Sequence, residues 1–357
     1  MGVTIYDIAE RASVSIATVS RVLNNQARVA QKTRRRVLEV ASELGYQPHA
    51  SAQSLARRKS SLISAVIPMI TNYFFMEVLR GLQDRLAESE FDLLVYTART
   101  MEEVGTQLDR ALHRGRSDGA MIFSTPVDDG RIAKLRRSGQ RAVFVDCSHP
   151  DFDSVSIDNE LGGYLATGHL IEQGHSRIGL IMGHAGSVPA HDRYQGYCRA
   201  LQDERIPVDH DLVMASTDQT RHGFSEAQGY TAMNALLDRG KPDAVFVTSD
   251  VQAVGALAAV QDRGLAVPHD VAIIGFDDLH FSRHIGLSTL RQPMYDMGRL
   301  ATEMLLARIA EPELGARHTV LAPSVVVRRS TVAEQKSGAM DEVLESVRGV
   351  AREPSNA

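Results

Sequence analysis

Val14-Ser15-Ile16-Ala17-Thr18-Val19-Ser20-Arg21-Val22-Leu23-Asn24 decides the reading of this chain. Ser15 can cap a short amphipathic helix. Val19, Val22 and Leu23 fall on one face of it, and Ile16, Ala17, Ser20 and Arg21 on the other. Upstream, Thr4-Ile5-Tyr6-Asp7-Ile8-Ala9 starts another helix, with Thr4 as cap and Asp7 as its capping-box partner. Ile5, Ile8, Ala9 and Ala12 line its apolar side, and Ser13-Val14 makes the turn. Two short helices joined this tightly are what a helix-turn-helix needs to lay its second helix in the major groove of DNA.

The outward face has matching chemistry. Its small side chains permit close approach to base edges. Ile16 and Ala17 can meet thymine methyl groups, and Arg21 can reach guanine O6/N7 or a phosphate. Thr18 and Ser20 are phosphate donors. A third helix is predicted from Gln31 to Leu44, with Val37, Leu38, Val40, Ala41 and Leu44 as its apolar stripe and Gly45 ending it. Lys32, Arg34, Arg35 and Arg36 crowd its first turns, which opposes the helix dipole unless phosphates neutralise them. Residues 1–60 carry ten basic and four acidic groups, a net +6, while the whole chain sums to −5. A basic head on an acidic body suits a polyanion at one end only.

From Leu62, short apolar runs alternate with amphipathic helices. Ile63–Ile67, Leu93–Tyr96, Ala120–Phe123 and Ala142–Val145 read as buried parallel strands, and Ile178–Met182, Ala244–Val247 and Val271–Phe276 as a second series. Helices are predicted at Phe75–Ala87, Gly162–Glu172, Tyr194–Gln202 and Val251–Arg263. This is a βαβ rhythm in two blocks that exchange near Asp158. A helix at Asp296–Ala310 and a strand at Ser324–Arg328 return to each lobe in turn. Ligands of such sheets sit beyond the carboxyl ends of strands. Asp146, Ser249, Asp250, Asp277 and Asp278 all follow strands, and Arg193 is placed at the opening of the helix after Ile178–Met182. Carboxylates accept from sugar hydroxyls, and an arginine fork donates from the opposite side. Phe74 or Phe224 can stack on an apolar ligand face. Asp250 reads as a helix cap ahead of Val251.

Several spaced motifs agree in order: Thr4–Ala9, Val14–Asn24, Thr33-Arg34-Arg35-Arg36-Val37-Leu38, Glu43-Leu44-Gly45-Tyr46-Gln47-Pro48 and Ala52-Gln53-Ser54-Leu55-Ala56. In these the chain resembles the lactose/galactose repressor (LacI/GalR) family of bacterial transcriptional regulators, over residues 3–330. The resemblance implies an α/β protein: an all-α helix-turn-helix domain (1–46), a hinge (47–61) and a periplasmic-binding-protein-like effector domain of two doubly wound lobes (62–330). A flexible tail (331–357) would follow, with one short amphipathic helix at Met340–Val350. Ala50 to Ala56 are too few for a stable isolated helix. In the family such a hinge folds when two copies meet on DNA, and Leu55 would wedge into the minor groove.

The implied DNA contacts are Thr4, Tyr6, Ser15, Ile16, Ala17, Thr18, Ser20, Arg21, Asn24, His49, Ser51, Ala52 and Leu55. The implied effector contacts are Asp146, Arg193, Phe224, Ser249 and Asp277, beside Phe74. The partners implied are a double-stranded palindromic operator, read by a homodimer with a tetramer left open, and a small-molecule effector such as a sugar. The Ile16-Ala17 pair resembles members whose operators carry a central CG. Three departures stand out. Ala30 replaces the usual serine cap of the third helix, His49 follows Pro48 where asparagine is usual, and Ser249 replaces an asparagine common in sugar-binding members.

The expected function is a sequence-specific repressor under effector control. A corepressor-dependent regulator or an activator of the same family, or a sugar-binding protein without a DNA role, stay open as alternatives. No His-Glu-x-x-His, Gly-x-Ser-x-Gly, P-loop or Gly-x-Gly-x-x-Gly motif is present, so neither an enzyme nor a cofactor is expected. His175, His184 and His191 read as loop and surface residues rather than metal ligands. No apolar run approaches ~20 residues, and no signal peptide opens the chain, so a cytoplasmic protein without a membrane span is expected. Cys147 and Cys198 are expected to stay unpaired.

Overall fold

Three helices form the N-terminal head: α1 (Ile5–Arg11), α2 (Ile16–Leu23) and α3 (Gln31–Glu43). The computed structural model describes residues 3–23, 29–46, 60–98, 101–113, 115–125, 127–217 and 223–332. At the start of α1, the Asp7 carboxylate accepts from the Thr4 backbone N–H and hydroxyl at 2.7 and 2.8 Å. At the start of α2, Ser15 Oγ accepts from the Thr18 N–H at 3.2 Å. Ser13, in the turn between them, has a φ of 51°. Ile8, Ala9, Ala12, Val19, Val22, Val37, Val40 and Ala41 bury one small core. Ala30 supplies no side-chain cap to α3, and Gly45 beyond its end has a φ of 63°. The predicted stripe of α3 needs one correction: Leu38 is 48% exposed. At about 100° per residue, positions 37, 40, 41 and 44 share a face, and position 38 lies beside it.

The body contains two six-stranded sheets. The first holds β1 (Leu62–Pro68), β2 (Asp92–Ala98), β3 (Gly119–Phe123), β4 (Arg141–Val145), β5 (Asp153–Ile157) and β11 (His318–Leu321). Its order is β2-β1-β3-β4-β5-β11, and every pair is parallel. The second holds β6 (Ile178–His184), β7 (Val213–Ser216), β8 (Ala244–Val247), β9 (Ala272–Asp277), β10 (Ser288–Arg291) and β12 (Ser324–Val326). Its order, β7-β6-β8-β9-β10-β12, repeats the first, with an antiparallel pair only at β10–β12. The central strands are apolar and buried on both faces, as parallel strands under helices must be.

Around them lie α4 (Tyr73–Leu86), α5 (Met101–Ala111), α6 (Asp129–Ser138), α7 (Asn159–Glu172), α8 (Val188–Asp203), α9 (Glu226–Arg239), α10 (Asp250–Asp262), α11 (Ser282–Ile285) and α12 (Met294–Ala310). Among the described residues the chain crosses between lobes three times. It passes from β5 to α7 at Asp158, from β10 to α12 at Gln292-Pro293, and from β11 to β12 at Ala322-Pro323. Asp158 caps α7, its carboxylate accepting from the Leu161 N–H at 2.9 Å. The helix and the strand near the end of the body thus return to the first and second lobes, as predicted. The strand ends at Val326 rather than at Arg328. The fully buried Asp153 fastens the return: Arg308 donates to it at 2.7 and 3.1 Å, and the Arg317 N–H at 2.8 Å.

Reciprocal glycines set the helix spacing. A Cβ on Gly163 of α7 would lie 2.1 Å from the Arg193 carbonyl oxygen of α8, and one on Gly196 of α8 would lie 2.0 Å from that of Glu160. Gly229 and Gly255 lock α9 to α10 in the same way, and Gly81 and Gly298 lock α4 to α12. Backbone therefore meets backbone, and no side chain can be inserted without moving a helix. Gly163→Ala is expected to cost roughly 1–3 kcal/mol by overpacking. At ~2–4 °C per kcal/mol, calorimetry should show a clear fall in Tm. Gly168→Ala on the same helix, where a Cβ meets nothing within 4 Å, should leave Tm unchanged or raised.

Candidate functional site

Two surfaces carry the candidate functional residues. On the head, Ile16, Ala17 and Arg21 of α2 are exposed, and Thr18 and Ser20 are half-buried beside them. Thr4, Tyr6 and Ser15 are also exposed, Tyr6 at 66%. These residues form the candidate contact face of the head. Asn24, His49, Ser51, Ala52 and Leu55 lie outside the described residues.

The second surface is the cleft between the lobes, at the carboxyl ends of the strands. Backbone strain collects there: Met69, Ser124, Asp146, Asp277 and Asp278 all have positive φ. Such conformations in residues other than glycine cost ~1–3 kcal/mol each and gather at ligand sites. Asp146 directly follows β4 of the first lobe, and Ser124, directly after β3, donates its hydroxyl to it at 2.6 Å. Asp277 ends β9 of the second lobe and accepts from Gln292 Nε2 at 2.5 Å. Gln292 Oε1 is itself buried and has no partner among the described residues.

Arg193 joins the lobes electrostatically. It is 5% exposed. Its Nε donates to Asn159 Oδ1 at 2.9 Å and one Nη to the Thr248 carbonyl at 2.6 Å. Its guanidinium carbon lies 3.6 Å from the centre of the Phe276 ring, a cation–π contact. Burial lowers its pKa from the usual arginine value, against the pull of Asp277 and Asp146. Burial also pushes Asp146 and Asp277 up to about 6, although Ser124 and Arg193 favour the charged form of the first and Arg193 and Gln292 that of the second. The site therefore offers a fixed donor fork facing carboxyl groups from both lobes, each able to accept or donate a hydrogen bond.

The sequence-based placement needs corrections here. Arg193 does not open its helix; α8 starts at Val188, with Pro189 in the first turn, so Arg193 projects from its second turn. Ser249, not Asp250, caps α10: Ser249 Oγ accepts from the Gln252 N–H at 3.2 Å. Asp250 is instead a fully buried carboxyl that accepts from Ser282 Oγ at 2.6 Å, Thr289 Oγ1 at 2.6 Å and the Leu279 N–H at 2.9 Å. Burial and the neighbouring Asp277 push it up to about 8. Phe74, in the first turn of α4, packs edge-on to Phe75 with ring centres 5.2 Å apart. Phe224 packs against the core of the second lobe. Sequence reasoning missed Ser124, Asn159, Gln252 and Gln292. Gln252 is buried and donates to the carbonyls of Met182 and Gly223 at 3.3 and 3.2 Å.

The described residues contain no cluster of metal-ligating groups. Cys147 and Cys198 are free thiols. No helix among the described residues is long and apolar enough to cross a membrane.

Asp250 sets a pH dependence with a definite sign. Its native pKa is raised, so the native state holds a proton that the unfolded state releases. That stabilisation is complete below the ordinary aspartate pKa and is lost as pH rises through about 8. Between pH 6.5 and 8, Tm should fall in the wild type. Asp250→Asn, a neutral near-isostere, should flatten that slope, as calorimetry at the two pH values would show.

Comparison with known proteins identifies both regions of the chain. The family described as "Bacterial regulatory proteins, lacI family" matches residues 4–49, and a "Periplasmic binding protein-like domain" matches residues 167–331. The HTH-type transcriptional regulator DegA of Bacillus subtilis (strain 168) is 33% identical over 93% of this chain and 98% of its own length. A lac repressor dimer bound to operator and the anti-inducer ONPF superposes with a TM-score of 0.80 at 29% identity, covering 93% of this chain and 100% of that one. A complex of the transcriptional regulator CelR with cellobiose superposes with a TM-score of 0.68 at 30% identity, covering 92% and 99%. These relatives are regulators rather than enzymes. With its helix-turn-helix head and its two parallel-sheet lobes, the chain belongs to the LacI family of DNA-binding bacterial transcriptional regulators.

Proposed function

We propose that this protein is a repressor that binds a palindromic operator as a homodimer, and that a sugar or sugar derivative in the cleft changes that binding. The division of labour is a DNA-reading head (1–46), a hinge (47–61), an effector domain (62–330) and a tail (331–357). The observation that carries the effector half is the Arg193 clamp. Asn159, the Thr248 carbonyl and the Phe276 ring hold the guanidinium, which interacts electrostatically with Asp146 of one lobe and Asp277 of the other. A polyol satisfies such a site from both sides, its hydroxyls donating to the carboxylates and accepting from the fork. CelR, with its cellobiose, is a relative of matching architecture.

The exposed face of α2 supports the DNA half, with Ile16 and Ala17 meeting base edges, Arg21 a guanine or phosphate, and Thr4, Tyr6, Ser15, Thr18 and Ser20 the backbone. Asn24, His49, Ser51, Ala52 and the Leu55 wedge join them on the strength of the family resemblance. A ligand that prefers one arrangement of the lobes shifts the DNA-binding equilibrium by its differential affinity for the two states.

A thermal-shift screen of neutral sugars and nucleosides identifies the ligand, and duplexes selected from a random pool supply the operator. Arg193→Ala removes charge-assisted hydrogen bonds worth ~1.5–3 kcal/mol each. It should weaken the ligand at least about tenfold while operator affinity by fluorescence anisotropy stays within about threefold. An unchanged ligand shift in Arg193→Ala would show that the ligand sits elsewhere. Leu55→Ala should weaken the selected duplex far more than a scrambled one at matched salt; equal loss on both contradicts the minor-groove wedge.

A further inference from the structure

Asp250 is buried away from solvent, and its side chain grips a loop that touches the other lobe. The loop runs from Asp277 to Ser282 and begins with two strained residues, Asp277 at φ 126° and Asp278 at φ 57°. Three donors converge on the Asp250 carboxyl: the Thr289 hydroxyl on one oxygen, and the Ser282 hydroxyl and Leu279 N–H on the other. The Asp250 backbone N–H in turn donates to the Asp277 carboxylate. Room for the carboxyl is made by Gly275, where a Cβ would lie 2.2 Å from Asp250 Oδ1.

The far side of this loop leaves its own lobe. Leu279 is 4% exposed and is buried with Phe75 and Val78 of α4 in the core of the first lobe. Phe281 packs edge-on against Tyr73 at the start of α4, with ring centres 5.8 Å apart. Asp278 is held on the second lobe by Arg291 and Arg328, at 2.7 and 2.6 Å. One short segment therefore begins at a carboxylate facing Arg193 and ends in apolar side chains seated on the opposite lobe.

We propose that Asp250 is a positioning residue: it holds the 277–282 loop as a strut, so that whatever displaces Asp277 in the cleft also displaces Leu279 and Phe281 on α4. The strut itself is a property of the fold; its use in regulation rests on the cleft being the effector site. The hold is made by hydrogen bonds from three donors on two elements. An amide in its place keeps an acceptor for the Leu279 N–H, whereas alanine leaves all three donors unpaired.

Hydrogen-exchange mass spectrometry on the full-length protein, without ligand or DNA, tests this. Asp250→Ala should speed exchange about tenfold in two places, the 277–287 peptide and the 72–80 peptide of the other lobe. The β1 and β6 strands should be unaffected, and Asp250→Asn should restore both peptides. Ser282→Ala removes one donor only and should give a smaller rise at the same two places, which keeps the test available if Asp250→Ala does not fold. A rise confined to 277–287 would make Asp250 a local structural residue and overturn the proposal. So would an even rise through both lobes. Because no ligand is used, failure here is distinct from failure of the effector site.

Discussion

A single buried guanidinium organises the centre of this protein. Arg193 is withdrawn from water, yet two of its nitrogens are bound to Asn159 and the Thr248 carbonyl, and its plane rests on Phe276. Taking a charge out of water costs several kcal/mol, and this is offset only when hydrogen bonds and counter-charges are well placed. Here the counter-charges, Asp146 and Asp277, come from different lobes. The electrostatic balance of Arg193 therefore depends on how the lobes are disposed. Under the proposed function, a polar ligand entering the cleft would exchange hydrogen bonds with the same groups and so would favour one disposition over another, which is what coupling requires.

The scaffold makes that centre rigid within each lobe and adjustable between them. Reciprocal glycines fix α7 on α8, α9 on α10 and α4 on α12 at backbone contact, so each pair moves as a unit. The contact of α7 with α8 passes through the Arg193 carbonyl itself. Among the described residues the chain crosses between lobes three times, and Leu279, Phe281 and Val251 of the second lobe pack against the core of the first. Relative lobe motion is the default when the joining surface is limited.

Much of this was legible in the sequence, and the failures have physical reasons. The head was read from caps, turn and periodicity because all of these are local; only Leu38 was misjudged, by one position around α3. The central strands announced themselves as unbroken apolar runs. β5 and β10 did not, since several of their buried residues are polar, and β7 and β11 did not, since they are edge strands with little buried surface. Asp153 is satisfied by Arg308, 155 positions away, and Ser154 by His318, 164 away. No local pattern reports such partners. Asp277 was singled out because it closes a strand and Arg193 because it lies in a recognisable motif after one, and the structure puts both at the buried cleft. The exchange of roles between Ser249 and Asp250 was not foreseeable: either residue can cap a helix, and the backbone alone decides which does. Asn159 and Gln292 matter only through contacts made across the fold.

The central claim is that cleft and head share one equilibrium, and thermodynamic linkage tests it without further assumption. Once a cleft ligand and an operator duplex are in hand, each is titrated in the presence and absence of the other. The account predicts that the ligand changes the operator Kd by some factor, and that operator changes the ligand Kd by the same factor in the same direction. A ligand that binds the cleft with equal affinity whether or not the operator is bound would contradict it.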